Sequence, residues 1–338
     1  MCIRDRHICM AVKTLAFKHL KLPVVAAPMF IVSNPKLVIE QCKAGIIGSF
    51  PALNARGDNN ESKLDDWLYE INEKLYGCNN NIPSFAVNQI VHSSNNRLMS
   101  DMDVIVKHKV PIVITSLGAK KEINDAVHSY GGIVLHDVTT NEFAKKAISK
   151  GADGLIAVAS GAGGHAGTQS PFALVQEIRE WFDGPLILSG AISTGKSIAA
   201  AITMGADYAY IGSPFIATTE ANASIDYKNM IVKSNANDIV NTDFFTGIPG
   251  NYLKESIVNA GLDIENLQSG SDLEKSSDVF NSDNKKPKAW SSIWGCGQGI
   301  SPINKIVDTS EFINTLAAEY DIHPVSYTHL TLPTNREV

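Results

Sequence analysis

The chain has 338 residues, of which 44% are hydrophobic and 19% charged, with a formal net charge of -6. That is enough apolar side chain for one large domain or two smaller ones, and an acidic balance with no electrostatic pull toward nucleic acid or anionic membrane. No apolar run approaches the roughly 20 residues a bilayer span needs, and the five scattered cysteines, never C-x-x-C, argue against a disulfide framework or a zinc site.

The chain opens on MCIRDRHICM, which lacks the apolar region of a secretory signal, so a reducing, cytoplasmic location is expected. This segment (1–10) and the Thr- and Pro-containing VSYTHLTLPTNREV (325–338) resemble translated adapter text and are expected to be non-native or disordered. Between them, short Val- and Ile-rich runs recur at 23–28, 45–50, 84–88, 111–116, 132–138, 154–160, 185–190 and 208–213. Continuous apolar runs bounded by Gly or Pro suit strands buried on both faces, as in parallel sheets. Amphipathic stretches such as NPKLVIEQCKA and NEFAKKAISK lie between them. Eight such runs over about 200 residues is the rhythm of an α/β protein of the (β/α)8 TIM-barrel class; a doubly wound sheet, the rival, usually needs fewer strands. KAISKGADGLIAVASG (146–161) echoes AAITMGADYAYIGSP (200–214), as two copies of one helix-to-strand joint would. After Ser213 the pattern changes. Residues 216–290 hold helical pieces and a polar, loop-like stretch (268–288) but no convincing buried strand, which predicts a small helical cap inserted after the eighth strand. FINTLAAEY then returns as a helix, so the barrel is expected to comprise 11–215 and 291–322.

Barrel enzymes place their chemistry where strands end and loops begin. The first run exits as AAPM (26–29), the third at Asn88, the fourth at Thr115 and Ser116, and the fifth at His136 and Asp137; such amide, hydroxyl and imidazole groups can bond a heterocycle. The sixth exits as SGAGGHAGTQSP (160–171), in which glycines flank His165 on both sides, and that isolation favours a functional imidazole over a packed one. The seventh exits as SGAISTGKS (189–197), which satisfies the nucleotide-hydrolase pattern G-x-x-x-x-G-K-[ST]. No downstream strand ends in the acid that would hold Mg²⁺. A barrel's loops after strands seven and eight commonly bind phosphate anyway; the eighth exits as Tyr210-Ile211-Gly212-Ser213.

AAPM, Asn88, AGGHAG (162–167), SGAI followed by Gly195, YIGS (210–213) and WGCGQGI (294–300) together resemble the nitronate monooxygenase family, FMN-dependent TIM barrels, from about Leu22 through Val307. The resemblance implies that Ala27, Pro28 and Met29 line a flavin ring, that Asn88 bonds it, and that Val158, Gly163 and Gly164 contact it. Thr115 and His136 join this cofactor set from their strand exits. Gly190 and Ala191 would give amides to the FMN phosphate, with Tyr210, Ile211, Gly212 and Ser213 beside them, and His165 would be the catalytic base. The implied reaction is oxidation of alkyl nitronates or nitroalkanes by O2 to carbonyl compounds and nitrite, on a small-molecule substrate and without a metal. A homodimer is the candidate assembly. The alternative on the same barrel is an NAD(P)H-dependent flavin reductase of the enoyl-acyl-carrier-protein or quinone type. The chain departs from the family pattern at Gly161, where Glu is frequent, at Val158 for Gln, and in SGAI and YIGS for AGGI and Q-x-G-T.

Overall fold

The computed structural model describes residues 17–57, 61–77, 82–267 and 292–322. Eight parallel strands form one sheet: β1 (Val24–Ala26), β2 (Ser49–Pro51), β3 (Ala86–Ile90), β4 (Ile112–Ser116), β5 (Ile133–Val138), β6 (Gly154–Val158), β8 (Leu186–Ser189) and β9 (Tyr208–Ile211). A short β7 (Gly164–His165) lies outside this sheet. The hydrogen-bonded order runs β1-β9-β8-β6-β5-β4-β3-β2, and a parallel bridge between Val25 and Ile47 joins its ends. The molecule is therefore the eight-stranded barrel expected from the periodicity. The second run gives its strand late, at 49–51 rather than 45–50, because Gly45 turns at φ +99° and Ile47 makes a single bridge before regular pairing begins.

Why the runs are continuously apolar is now plain. Alternate residues face opposite sides of a strand. One set, including Val25, Ile112, Ile114, Ile133, Leu135, Ile156 and Ile187, fills the barrel interior. The other, including Val87, Val113, Val134, Leu155, Leu188 and Ala209, packs under the outer helices. Both sets are buried, each aliphatic side chain contributing about 1.5–3 kcal/mol. The outer ring comprises α1 (Pro35–Lys43), α2 (Leu64–Tyr76), α3 (Leu98–Lys107), α4 (Lys121–His128), α5 (Asn141–Ser149), α6 (Pro171–Arg179), α7 (Gly195–Thr203) and, from the C-terminal segment, α11 (Thr309–Asp321). Local signals start these helices: Asn34 caps α1 ahead of Pro35, and Thr140 caps α5, each side chain accepting a backbone N–H of the first turn.

The Gly-Ala-Asp echo is one device used twice. Gly151 (φ +97°) and Gly205 (φ +111°) end their helices in the left-handed region. Asp153 then accepts the Val134 N–H at 2.9 Å, and Asp207 the Leu186 N–H at 2.8 Å. Each aspartate thus ties the start of its own strand to the neighbouring strand.

The insert is where expectation and structure part. It contains α8 (Ser213–Ile216), α9 (Ile225–Lys233) and α10 (Lys254–Asn259), and also a hairpin of β10 (Ile239–Thr242) and β11 (Gly250–Leu253) that the helical reading of 216–290 did not include. IVNT and GNYL are four residues each and are interrupted by Asn241, Thr242 and Asn251, so neither stands out as an apolar run. They form a three-stranded antiparallel sheet because β7 supplies the third strand, pairing His165 with Gly250. Residues 293–303 pack with this insert through Ile293, Cys296 and Ile300 and a bridge from Gly295 to Tyr252, and they also bond the loops at the barrel mouth, Gln298 N donating to the Gly161 carbonyl. The polar stretch 268–288 and the two end segments lie outside the described residues. No helix among the described residues is long and apolar enough to cross a membrane.

Candidate active site

Continuing the interior-facing alternation one step past the apolar layer brings Asn88, Ser116, Asp137, Val158, Ser189 and Tyr210 to the C-terminal mouth of the barrel. All six line a cavity of about 270 Å³ there. Its walls are the loops after β1 (Ala27–Phe30), β6 (Gly161–Gly164), β8 (Gly190–Ile192) and β9 (Gly212–Pro214), with His165 at one side and Gly295, Gly297 and Gly299 closing over.

Of the residues singled out from sequence, Ala27, Pro28, Met29, Asn88, Val158, Gly163, Gly164, His165, Gly190, Ala191, Tyr210, Gly212 and Ser213 line this cavity. Thr115, His136 and Ile211 do not. They are one residue out of register with the interior set, so their side chains leave the barrel on the helix side. Ile211 packs in the outer core. Thr115 and His136 are 1% and 7% exposed and bond each other, Oγ1 to Nδ1, at 2.5 Å; burial holds the His136 imidazole down at about 4. Their neighbours Ser116 and Asp137 occupy the mouth instead. The period-two pattern, counted from Ile112 and Ile133, carries that information.

At the cavity floor three side chains form a directed chain. Asn88 Nδ2 donates to the Ile114 carbonyl (3.1 Å) and to Ser116 Oγ (2.7 Å), which in turn donates to Asp137 Oδ2 (2.6 Å). Because a carbonyl can only accept, this fixes the Asn88 amide and leaves its oxygen as the group available to a ligand. Burial raises the Asp137 carboxyl to about 6, against the opposing bond from Ser116.

His165 is held by backbone pairing of β7 with β11 and by the insert's loop. Thr246 Oγ1 gives its proton to the Ile248 carbonyl (3.1 Å) and meets His165 Nε2 at 2.9 Å. With its proton on Ile248, the Thr246 oxygen can accept from an N–H on Nε2, the tautomer that carries the basic lone pair on Nδ1. Burial lowers its pKa to about 4, so the ring is neutral at pH 7. Thr246 gave no sequence signal, since its role depends on a hairpin 81 residues away.

The glycines form interlocking backbone walls. A Cβ on Gly163 would sit 2.8 Å from Gly297 N and 3.0 Å from Ser213 Oγ. Gly297 N donates to Ser213 Oγ (2.8 Å), and Gln298 N to the Gly161 carbonyl (2.9 Å). Gly190 turns the chain at φ +147°, and Ala191 follows at φ +54°, a left-handed conformation that a side chain opposes by about 1–2 kcal/mol. Ala191→Gly is therefore expected to raise stability by about 1 kcal/mol, read as a higher midpoint in urea; a lower midpoint would contradict strain at Ala191. On the opposite wall Asn54 staples the loop after β1, its amide donating to the carbonyls of Met29 (2.9 Å) and Ser33 (2.8 Å).

The apparent nucleotide motif has another explanation. Thr194 and Ser197 form a reciprocal cap at the start of α7. The Gly195 N–H is taken by Glu319 of α11 at 2.7 Å, and a Cβ on Gly195 would lie 2.3 Å from Tyr320 N. The helix end that a P-loop would turn toward phosphate is capped by a carboxylate of this chain.

The family model for nitronate monooxygenase matches residues 13–319. The chain belongs to the nitronate monooxygenase family. Its members are flavin-dependent oxidoreductases, and this protein is an enzyme of that class. A probable nitronate monooxygenase of Staphylococcus saprophyticus is 24% identical over 277 residues, 71% of this chain and 78% of that one. A (3aS,4S,5R,7aS)-5-hydroxy-7a-methyl-1-oxo-octahydro-1H-indene-4-carboxyl-CoA dehydrogenase of Rhodococcus jostii is also 24% identical, over 238 residues, 70% of this chain but 64% of that protein's length. Among solved structures, FabK from Thermotoga maritima superposes with a TM-score of 0.71 at 23% identity, covering 92% of this chain and 96% of that one. A nitroalkane oxidase from Streptomyces ansochromogenes gives 0.70 at 23% identity, covering 89% and 96%. At such identity these two superpositions carry the fold.

Proposed function

We propose that this nitronate monooxygenase family member binds FMN at the barrel mouth and oxidises alkyl nitronates or nitroalkanes with O2 to carbonyl compounds and nitrite. The observation that carries the reading is a neutral, positioned imidazole, His165, at the edge of a cavity lined by the glycine-bearing loops after β6, β8 and β9. The fit to FMN rests on that cradle. Peptide N–H groups at Gly190, Ala191 and Gly212, with the Ser213 hydroxyl, suit a phosphate at the loops after the last two barrel strands. Ala27, Pro28 and Met29 would flank the ring, with Val158, Gly163 and Gly164 across from them, and the Asn88 oxygen would accept from it. Bound there, FMN supplies the electron acceptance and the reaction with O2.

The protein's own part is to place and deprotonate the substrate. His165 Nδ1 takes the α-proton of a nitroalkane, or orients a nitronate already ionised. The N–H on Nε2 stays on Thr246, which fixes the ring plane during transfer. The loop of residues 294–300, seated on Gly161 and Gly163, excludes water from one side. Two results test this: yellow protein on reconstitution with FMN, and nitrite release in proportion to nitroalkane consumed. Flavin bound without nitrite from any nitroalkane or nitronate would overturn the substrate assignment.

Lys196 has no part in this arrangement. It is exposed on α7 and is not among the residues that line the cavity. Lys196→Ala is expected to leave FMN affinity within about twofold, since an exposed substitution away from a site shifts energies by roughly 0.5 kcal/mol or less. Loss of the phosphate ligand in this variant would revive the nucleotide-loop reading.

A further inference from the structure

We infer that Asp137 is the group whose ionisation the bound flavin senses, a positioning carboxyl at the floor of the mouth cavity that sets how readily negative charge accumulates on the ring. The inference rests on the FMN reading above. Asp137 is the one carboxylate among the described residues lining the cavity, and no Lys or Arg is among them. Any ligand in the mouth therefore meets a single carboxyl group with no Lys or Arg among the described lining residues to offset it.

Its surroundings isolate it further. From β3 and β4 it is faced by neutral Asn88 and Ser116, and from β6 and β8 by Val158 and Ser189. The titratable groups are Tyr210 on β9, whose phenol burial raises well above its ordinary value, and His165 on β7. His136, adjacent in sequence, faces out of the barrel onto Thr115. Tyr210 thus stays neutral through the accessible range, and His165 is already neutral well below pH 6. Asp137 is left as the group that changes charge near the middle of the range, where burial has moved it. As a carboxylic acid it can donate to the ring; as a carboxylate it opposes electron uptake there, because like charge in a poorly solvated site disfavours further charge. Ser116 tunes the switch, since its bond to Oδ2 favours the ionised form.

The test is a pH titration of the FMN-loaded protein by visible absorbance, with the flavin midpoint potential measured at pH 5 and pH 8. The wild-type protein is expected to show a spectral transition near pH 6. Asp137→Asn should bind FMN and show no such transition. At pH 8 the Asn variant's potential should be higher than the wild type's; at pH 5 the two should converge. Ser116→Ala should keep the transition but move it to higher pH. A wild-type flavin that binds and does not titrate, or a transition unchanged in Asp137→Asn, would overturn the role given to Asp137. If Asp137→Asn does not fold, an unmoved transition in Ser116→Ala has the same force. A wild-type protein that binds no FMN at any pH would instead overturn the cofactor reading, and this inference with it.

Discussion

His165→Asn is expected to lower kcat with nitroalkanes by about 10²–10⁴-fold, the range a positioned general base supplies, while the protein remains yellow. Asparagine keeps a donor for Thr246 but has no lone pair of imidazole basicity. The β7–β11 pairing and Thr246 both help to hold His165 in place. Backbone pairing survives the substitution, so flavin binding and folding should survive too. Because burial holds the imidazole at about 4, His165 is in its basic form throughout pH 6–8. The loss should therefore be uniform across that window, and it should be small when a preformed nitronate replaces the nitroalkane. Steady-state rates with both substrate forms check this. Turnover of nitroalkane equal to wild type would remove His165 from the role of base.

Gly163→Val is expected to abolish FMN binding at micromolar flavin. The Cβ would stand 2.8 Å from Gly297 N, 3.0 Å from Ser213 Oγ and 3.2 Å from the Cys296 carbonyl carbon. Two of these are backbone atoms of the segment that closes the cavity, so relief requires that segment to move. Overpacking of this kind typically costs about 1–3 kcal/mol, and the displaced Ser213 hydroxyl is one of the groups assigned to phosphate. Quenching of flavin fluorescence on titration into apoprotein measures the affinity. Wild-type affinity in Gly163→Val would show that the glycine loops do not hold the cofactor.

The barrel was legible because both faces of its strands are buried, which leaves runs that no other element imitates over so even a spacing. The glycine loops were legible for a related reason: glycine where a strand exits marks a close approach, and Gly163 and Gly190 are such positions. Thr115 and His136 were misassigned by one residue. Strand exits show which polar groups are near the mouth, but the face each presents follows from register, and Ser116 and Asp137 have the right one. Thr246 and Asn54 were hidden because each acts on a segment distant in sequence: the hairpin loop on His165, and the turn at 52–54 on the loop after β1. The hairpin was hidden because the strand that completes its sheet, β7, is two residues long and embedded in a glycine-rich loop. The match to G-x-x-x-x-G-K-[ST] misleads for a physical reason: capping a helix with Thr194 and Ser197, and packing Gly195 against α11, asks for the same residue types as a phosphate loop.

The measurement that most directly tests the central claim is the visible spectrum of the FMN-loaded protein mixed without oxygen, first with NADPH and then with a nitroalkane. The account predicts that NADPH leaves the flavin oxidised on the timescale of turnover, that nitroalkane bleaches it, and that admitting O2 restores the colour with release of nitrite. Rapid bleaching by NADPH with no response to nitroalkane would contradict it and assign the barrel to a reductase.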